Sequence, residues 1–257
     1  MKKKKLILKI GTSTLTAGTN KISLEKIRDI ARQVVKLKKT YNVVLVSSGA
    51  IATAKQFIKI DGYLKDVDSK QAMAAIGQPK LMKIYDDIFS RFGLKVAQCL
   101  MTYRDFESKN AKENTKNTLN KLLECDYIPI INENDTLAIE EIVLGDNDRL
   151  SAMVASILNA DLLIIASDVN GLYDKNPYLH KDAKLIKEVK DLKKAASFIQ
   201  ERVSKLGVGG MNSKIEAAHI CKKNCIEMRI INGGGKDFLI NALNGKVPFT
   251  KFKFKKI

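Results

Sequence analysis

The run VVLVSSGA, residues 43–50, sets four apolar residues side by side and then two serines, a glycine and an alanine. A strand with one wet face would alternate polar and apolar residues. An unbroken apolar run this short instead fits a strand covered on both faces, the usual condition of a parallel sheet. The small polar residues that follow mark the strand's end, and GAIATAKQF reads as the start of a helix.

The same unit recurs along the chain. LILKI (6–10) is a strand closed by GTST, and a helix follows over 24–39 with Ser23 as its N-cap. Ser69 is placed to cap a second long helix over 71–91. KVAQCLMT (95–102) is a strand, 114–124 a helix and YIPIIN (127–132) a buried strand. Residues 150–158 read as helix and DLLIIAS (161–167) as strand. Helices are predicted near 191–200, 213–223 and 238–243, with EMRIIN (227–232) a strand between the last two. FTKFKF (249–254) alternates with period two, which predicts an edge strand with its lysines in water. Strands alternating with helices give an α/β fold on a largely parallel sheet. No linker composition divides the chain, so residues 1–257 read as one unit with two lobes, about 1–155 and 156–257.

With 257 residues, 45% of them hydrophobic and 28% charged, the chain has enough apolar surface for a sizeable core. No apolar run approaches the ~20 residues that cross a bilayer. MKKKKLILK is basic enough for a signal peptide, but Lys9 ends the apolar stretch after three residues, so a cytoplasmic protein with no membrane partner is expected. Four cysteines do not make a disulfide framework in a chain this long. His219, Cys221 and Cys225 fall on one predicted helix without an evident fourth ligand, so no metal site is assigned. The net charge of +17 raises the question of nucleic acid. Most lysines, however, are spread singly or lie on polar helix faces, as in KIRDIARQVVKLKKT. No RNA motif or recognition helix accompanies them, and no nucleic-acid partner is expected.

Ligands of such a sheet bind beyond the carboxyl ends of its strands. Those ends carry KIGTST, SSGA, INEND, SD and NGGG, all small or polar. Two other motifs fail. YRDFESKN (103–110) has the spacing of a protein-kinase catalytic loop, but no DFG and no GxGxxG accompany it. No Walker-type GxxxxGK[ST] occurs. GGMNSK (209–214) differs: glycines open a helix whose N–H groups suit phosphate oxygens, with Lys214 adding charge, and an ordinary loop-to-helix turn is the plainer reading. Lys9 is the second cation, an expensive residue in a buried strand unless its ammonium meets anions at the strand end, the other reading being an edge lysine that snorkels to water. Two lysines aimed at one cleft suit phosphoryl transfer, in which negative charge spreads over the moving group and the bridging oxygens. GDND (145–148) supplies a carboxylate to hold both lysines charged and oriented. A metal loop and a helix N-cap at Asp148 remain open at this point, although an EF-hand's later glycine and glutamate are missing.

Seven segments, KIGTS, SSGAI, SKQAMAAIGQ, INENDT, GDNDRLSA, SDVNGLY and GVGGMNSK, stand in the order and at the spacings of the glutamate 5-kinases of the amino acid kinase family. The resemblance spans about residues 6–252. It implies a three-layer αβα sandwich on a mainly parallel, about eight-stranded sheet, with the amino acid in the N-terminal lobe and ATP in the C-terminal lobe. It implies transfer of the γ-phosphoryl group of MgATP to the side-chain carboxylate of L-glutamate, the first step towards proline. By the same resemblance Lys9 and Lys214 stabilise the transition state and Asp148 organises them. Ser48, Gly49, Asn132, Asp135 and Asn147 receive glutamate, with Asp135 on its α-ammonium. Lys9, Gly11, Ser167, Asp168, Gly171, Tyr173, Val208, Gly209, Gly210, Met211, Asn212, Ser213 and Lys214 receive ATP. Mg²⁺ is carried mainly by the ATP phosphates, with no protein metal ligands.

Further implications are a homo-oligomer (dimer or tetramer), proline as feedback inhibitor and glutamyl phosphate reductase as the next enzyme. Two departures stand out. Asn176-Pro177 replaces the Asp-Pro of many relatives, and the C-terminal PUA domain of many relatives is not expected here. The competing readings are another enzyme of the same fold (an aspartate, uridylate or isopentenyl phosphate kinase) and a non-catalytic binder of anions or nucleic acid. A binder would not need Lys9, Lys214 and Asp148 together.

Overall fold

In the computed structural model, residues 3–58, 66–137, 147–200 and 209–254 are described. Among them eight strands form one sheet: β1 (Lys4–Ile10), β2 (Tyr41–Ser47), β3 (Lys95–Met101), β4 (Tyr127–Glu133), β5 (Leu162–Ser167), β6 (Glu188–Val189), β7 (Glu227–Asn232) and β8 (Phe249–Phe252). Their order is β3-β4-β2-β1-β5-β7-β8-β6. Only the β7–β8 pairing is antiparallel. β1 lies at the centre, with Lys9 in register between Val46 of β2 and Ile165 of β5.

The helices are α1 (Thr12–Leu15), α2 (Leu24–Leu37), α3 (Ala50–Ala54), α4 (Val67–Ser90), α5 (Lys109–Glu124), α6 (Asp148–Ile157), α7 (Leu192–Gln200), α8 (Gly209–Lys223) and α9 (Phe238–Leu243). Side chains of a strand alternate between its two faces, and that alternation sorts the core into two halves. Leu6, Leu8 and Ile10 pack with Ile27, Ile30 and Val34 of α2, Leu81 and Tyr85 of α4, and Phe238 of α9. Ile7, Val44, Val46 and Ile165 pack on the other side with Leu150 and Val154 of α6 and Ala217 and Ala218 of α8. The result is an αβα sandwich. Lys9, two residues after Ile7, is thereby directed to the α6–α8 side.

Several local expectations are corrected. β8 is not the edge strand, because β6 pairs along its outer side. Two residues, Glu188 and Val189, are too few to show a pattern, so no local periodicity marks this strand. Asp66 rather than Ser69 caps α4, its carboxylate accepting from the Ser69 amide at 2.7 Å. Ser23 does cap α2, accepting from the Lys26 amide at 3.1 Å. YRDF forms a 3₁₀ turn and Ser108 then caps α5. Asp148 is the first residue of α6 rather than its cap, and Asn147 occupies the cap position.

Candidate active site

The carboxyl end of β1, the start of α6 and the second turn of α8 meet at one point. Lys9 Nζ lies 2.7 Å from Asp148 Oδ1. Lys214 Nζ lies 2.9 Å from Asp148 Oδ2, and Ser213 Oγ donates to that same oxygen at 3.2 Å. Asp148 is fully buried, and Lys9 and Lys214 are 5% and 6% exposed. Burying ions costs several kcal/mol each even after relaxation, so a buried triad needs a reason beyond stability. These three groups carry one positive charge in excess, which an arriving anion would neutralise. Pairing with β5 continues to Gly11, whose amide donates to Ala166 O at 3.4 Å, and α1 begins at the next residue, Thr12. A Cβ on Gly11 would stand 3.7 Å from Lys9 Nζ and cover its flank.

Asn147 turns the neighbouring residue of the same motif toward β2 and β4. Its Nδ2 donates to Ser48 Oγ at 2.9 Å and to Asn132 Oδ1 at 2.8 Å. Asn132 in turn donates to Gln78 Oε1 of α4 at 3.0 Å. All four side chains are buried. Asn147 Oδ1 is buried and takes no hydrogen bond among the described residues. A buried acceptor without a donor is rare and suits a ligand N–H. Ser48, Gly49, Asn132, Asp135, Lys55 and Lys70 line a cavity of about 250 Å³ beside this chain. Gly49, at φ +109°, turns β2 into α3 in a conformation that side chains resist. Gly77 lets α4 approach α3, since a Cβ there would lie 1.8 Å from Ala50 O.

The remaining candidates gather at the end of β5 and the start of α8. Ser167 Oγ donates to Asp168 Oδ1 at 2.9 Å, and Tyr178 Oη to Asp168 Oδ2 at 3.2 Å. Burial, then the Asp168 charge, raises the Tyr178 phenol above its ordinary pKa. Gly209 and Gly210 form the first turn of α8, Asn212 is exposed, and Val208 lies outside the described residues. Met211 packs against the core. Gly171 packs on β8, where a Cβ would meet Thr250 Oγ1 at 2.2 Å, and Tyr173 Oη accepts from Asn170 Nδ2 at 3.2 Å. Met211, Gly171 and Tyr173 thus have packing contacts of their own, whereas Lys9, Asp148, Ser213 and Lys214 converge directly. Asn176 Oδ1 accepts from the Tyr178 amide at 3.0 Å, which an aspartate there would do equally well.

Gln78 and Tyr178 belong to the site's surroundings and were not singled out from the sequence. A glutamine within a helix reads as solvated, and only the Gly77–Gln78 pair hinted at a close, polar helix contact. A larger cavity, about 920 Å³, lies at the opposite ends of the strands among Lys3, Lys4, Lys5, Lys116 and Lys121. There Lys5 Nζ donates to Leu158 O, just past the end of α6, at 3.0 Å. Cations at helix C-termini are favourable without any ligand, which accounts for part of the basic charge.

Residues 4–232 match the amino acid kinase family. A glutamate 5-kinase of Dehalococcoides mccartyi is 42% identical over 254 residues, covering 97% of this chain and 68% of that one. A glutamate 5-kinase of Clostridium acetobutylicum is 43% identical over 250 residues, covering 96% and 94%. Among solved structures, UMP kinase from Ureaplasma parvum superposes with a TM-score of 0.69 at 19% identity, covering 98% of this chain and all of that one. Carbamate kinase from Giardia lamblia bound to AMP-PNP gives 0.70 at 14% identity, covering 98% and 99%. At these identities the two structures speak for the fold alone, and they share the parallel-sheet sandwich described above. With the family matched over most of its length and relatives above 40% identity, the chain belongs to the amino acid kinase family.

Proposed function

We propose that this chain phosphorylates the side-chain carboxylate of L-glutamate with ATP, yielding L-glutamyl 5-phosphate for proline biosynthesis. The observation that carries the reading is Asp148 held between Lys9 and Lys214, next in the chain to Asn147, whose partners Ser48 and Asn132 line a cavity of about 250 Å³. A glutamate oxygen attacks the γ-phosphorus, one O–P bond forms, and the bond from phosphorus to the bridging oxygen of ADP breaks. A carboxylate with a pKa near ~4.3 is already ionised at neutral pH, so no general base is needed. Lys9 and Lys214 offset the charge spreading over the transferring group, and Asp148 fixes both ammonium groups before the reaction begins. Asn147 Oδ1 and Asp135 offer acceptors for the α-ammonium, which tells glutamate from acids lacking one.

Ser167, Asp168 and the first turns of α8 receive the nucleotide, placing ATP on the 156–257 half and glutamate on the 1–155 half. Mg²⁺ would enter with ATP and offset charge on its phosphates, since Asp148 is already engaged by Lys9 and Lys214. Work in the cytoplasm is part of the same proposal; among the described residues no helix is long and apolar enough to cross a membrane. Feedback by proline in the glutamate cavity, a dimeric or tetrameric assembly, and hand-over to a glutamyl phosphate reductase complete the proposal. The test is turnover of ATP with glutamate in the presence of hydroxylamine, which traps an acyl phosphate as the hydroxamate. Glutamyl hydroxamate is expected. No hydroxamate with glutamate, but ADP release with aspartate or UMP, would overturn the reading.

A further inference from the structure

Lys26, Asp29 and Gln33 stand three and four residues apart in α2, the spacing of neighbours on one helix face. All three reach the connection between β7 and α9. Lys26 Nζ donates to Gly233 O and Gly234 O at 2.8 Å each and to Gly235 O at 2.9 Å. It also lies 5.2 Å from the ring centroid of Phe238. The Asp29 carboxylate accepts from the Asp237 amide at 3.2 Å. Gln33 Oε1 accepts from the amides of Leu239 at 2.9 Å and Ile240 at 3.1 Å, satisfying N–H groups that a helix start leaves open.

An ammonium has three N–H groups, and Lys26 spends all of them on three consecutive glycine carbonyls while 7% exposed. Burial lowers its pKa below the ordinary lysine value, with Asp29 and Glu25 acting in the opposite direction. A solvated helix face would not bear that penalty. Three glycines in a row offer no side chains to pack and lose much entropy on ordering, so the lysine does the ordering. The other side of the loop faces the end of β5. The Gly233 amide donates to Ser167 O at 2.8 Å, and Asn232 Nδ2 donates to Asp168 O at 3.3 Å. Thr14 presses from beneath, where a Cβ on Gly233 would come within 2.5 Å of Thr14 Cγ2.

We propose that Lys26 is a positioning residue for nucleotide binding: it holds the 233–235 loop against Ser167 and Asp168, so that the strand end receives ATP already ordered. This rests on the functional reading above, because it assigns the end of β5 to ATP. MgATP is titrated calorimetrically into the full chain, the Lys26→Met variant and the Gln33→Leu variant, with melting temperatures measured alongside. Lys26→Met is expected to weaken ATP binding about tenfold, roughly the worth of a single charged hydrogen bond passed on to the nucleotide site. Gln33→Leu loosens the same connection at α9, away from the glycines. It is expected to lower the melting temperature and leave ATP affinity within about twofold of the parent, well under the tenfold that marks a lost interaction. Should Lys26→Met fail to fold, Lys26→Arg keeps the charge without the three-carbonyl geometry and is expected to lose affinity too. Unchanged ATP affinity in the Lys26 variant that folds, or an equal loss in Gln33→Leu, overturns the proposal and leaves Lys26 a structural clasp. If the parent chain binds no ATP, the functional reading falls and this inference with it.

Discussion

Asn147 and Asp148 are consecutive in the chain yet serve opposite halves of the site: Asn147 bonds to Ser48 and Asn132, while Asp148 bonds to Lys9 and Lys214. In the function proposed above, the start of α6 is therefore the point at which substrate binding and charge stabilisation join.

Lys214→Ala tests the charge half. In the proposed reaction it removes one of two cations facing the transferring group, and it leaves Asp148 paired with Lys9. Turnover is expected to fall on the order of 10²–10³-fold. Glutamate binding, followed calorimetrically, should stay near the parent value, because the Lys214 ammonium is bound to Asp148, while it is Asn147 that bonds to Ser48 and Asn132. Loss of both together would show that Lys214 holds the fold instead.

Asn147→Ala tests the other half. It removes two hydrogen bonds and the buried Oδ1 acceptor. The KM for glutamate is expected to rise about tenfold or more, with the KM for ATP changing far less. Equal changes in both would place Asn147 in general support of α6.

Gly77→Ala tests the packing beneath the cavity. The added methyl has no room against Ala50 O at 1.8 Å, so α3 and α4 must part. Overpacking of this kind is expected to cost roughly 2–3 kcal/mol, seen as a lower midpoint in denaturant unfolding. An unchanged midpoint would mean that the two helices are not pressed together there.

Glu227 ties β7 to β8, meeting Arg229 at 2.7 Å and Lys251 at 3.1 Å. Burial raises its pKa, but the hydrogen bonds and charges of Arg229 and Lys251 outweigh that and hold it below the ordinary value. A carboxyl with a depressed folded pKa adds stability above its unfolded pKa and loses it as pH falls through the folded one. Stability should thus be retained above about pH 4.3 and decline below it. Glu227→Gln should reduce stability by about 1 kcal/mol at pH 7 and flatten the acid limb. An acid limb identical in both proteins would show that the group has no depressed pKa.

The sandwich was legible because VVLVSS, YIPII and LLIIA are apolar without a break, which only a sheet covered on both faces explains. Lys9 was legible for the converse reason, a cation where burial is otherwise complete. The role of Asp148 was only half legible. D-N-D suits a metal loop or a cap as well, and its true partners lie 139 and 66 residues away, brought near only by the topology. Lys26 was misread, since α2 looks like a lysine-rich solvated helix. Its burial follows from a glycine loop more than 200 residues later, which no local pattern records. Gln78 and β6 were hidden in the same way, by partners distant in the chain.

The most direct test of the whole account is the turnover of Asp148→Asn in the glutamate hydroxamate assay. The substitution keeps the shape and removes the charge that gathers Lys9 and Lys214. Turnover is expected to fall on the order of 10²–10³-fold with the fold intact. A rate close to that of the parent chain would contradict it, and would reduce Asp148 to the opening residue of a helix.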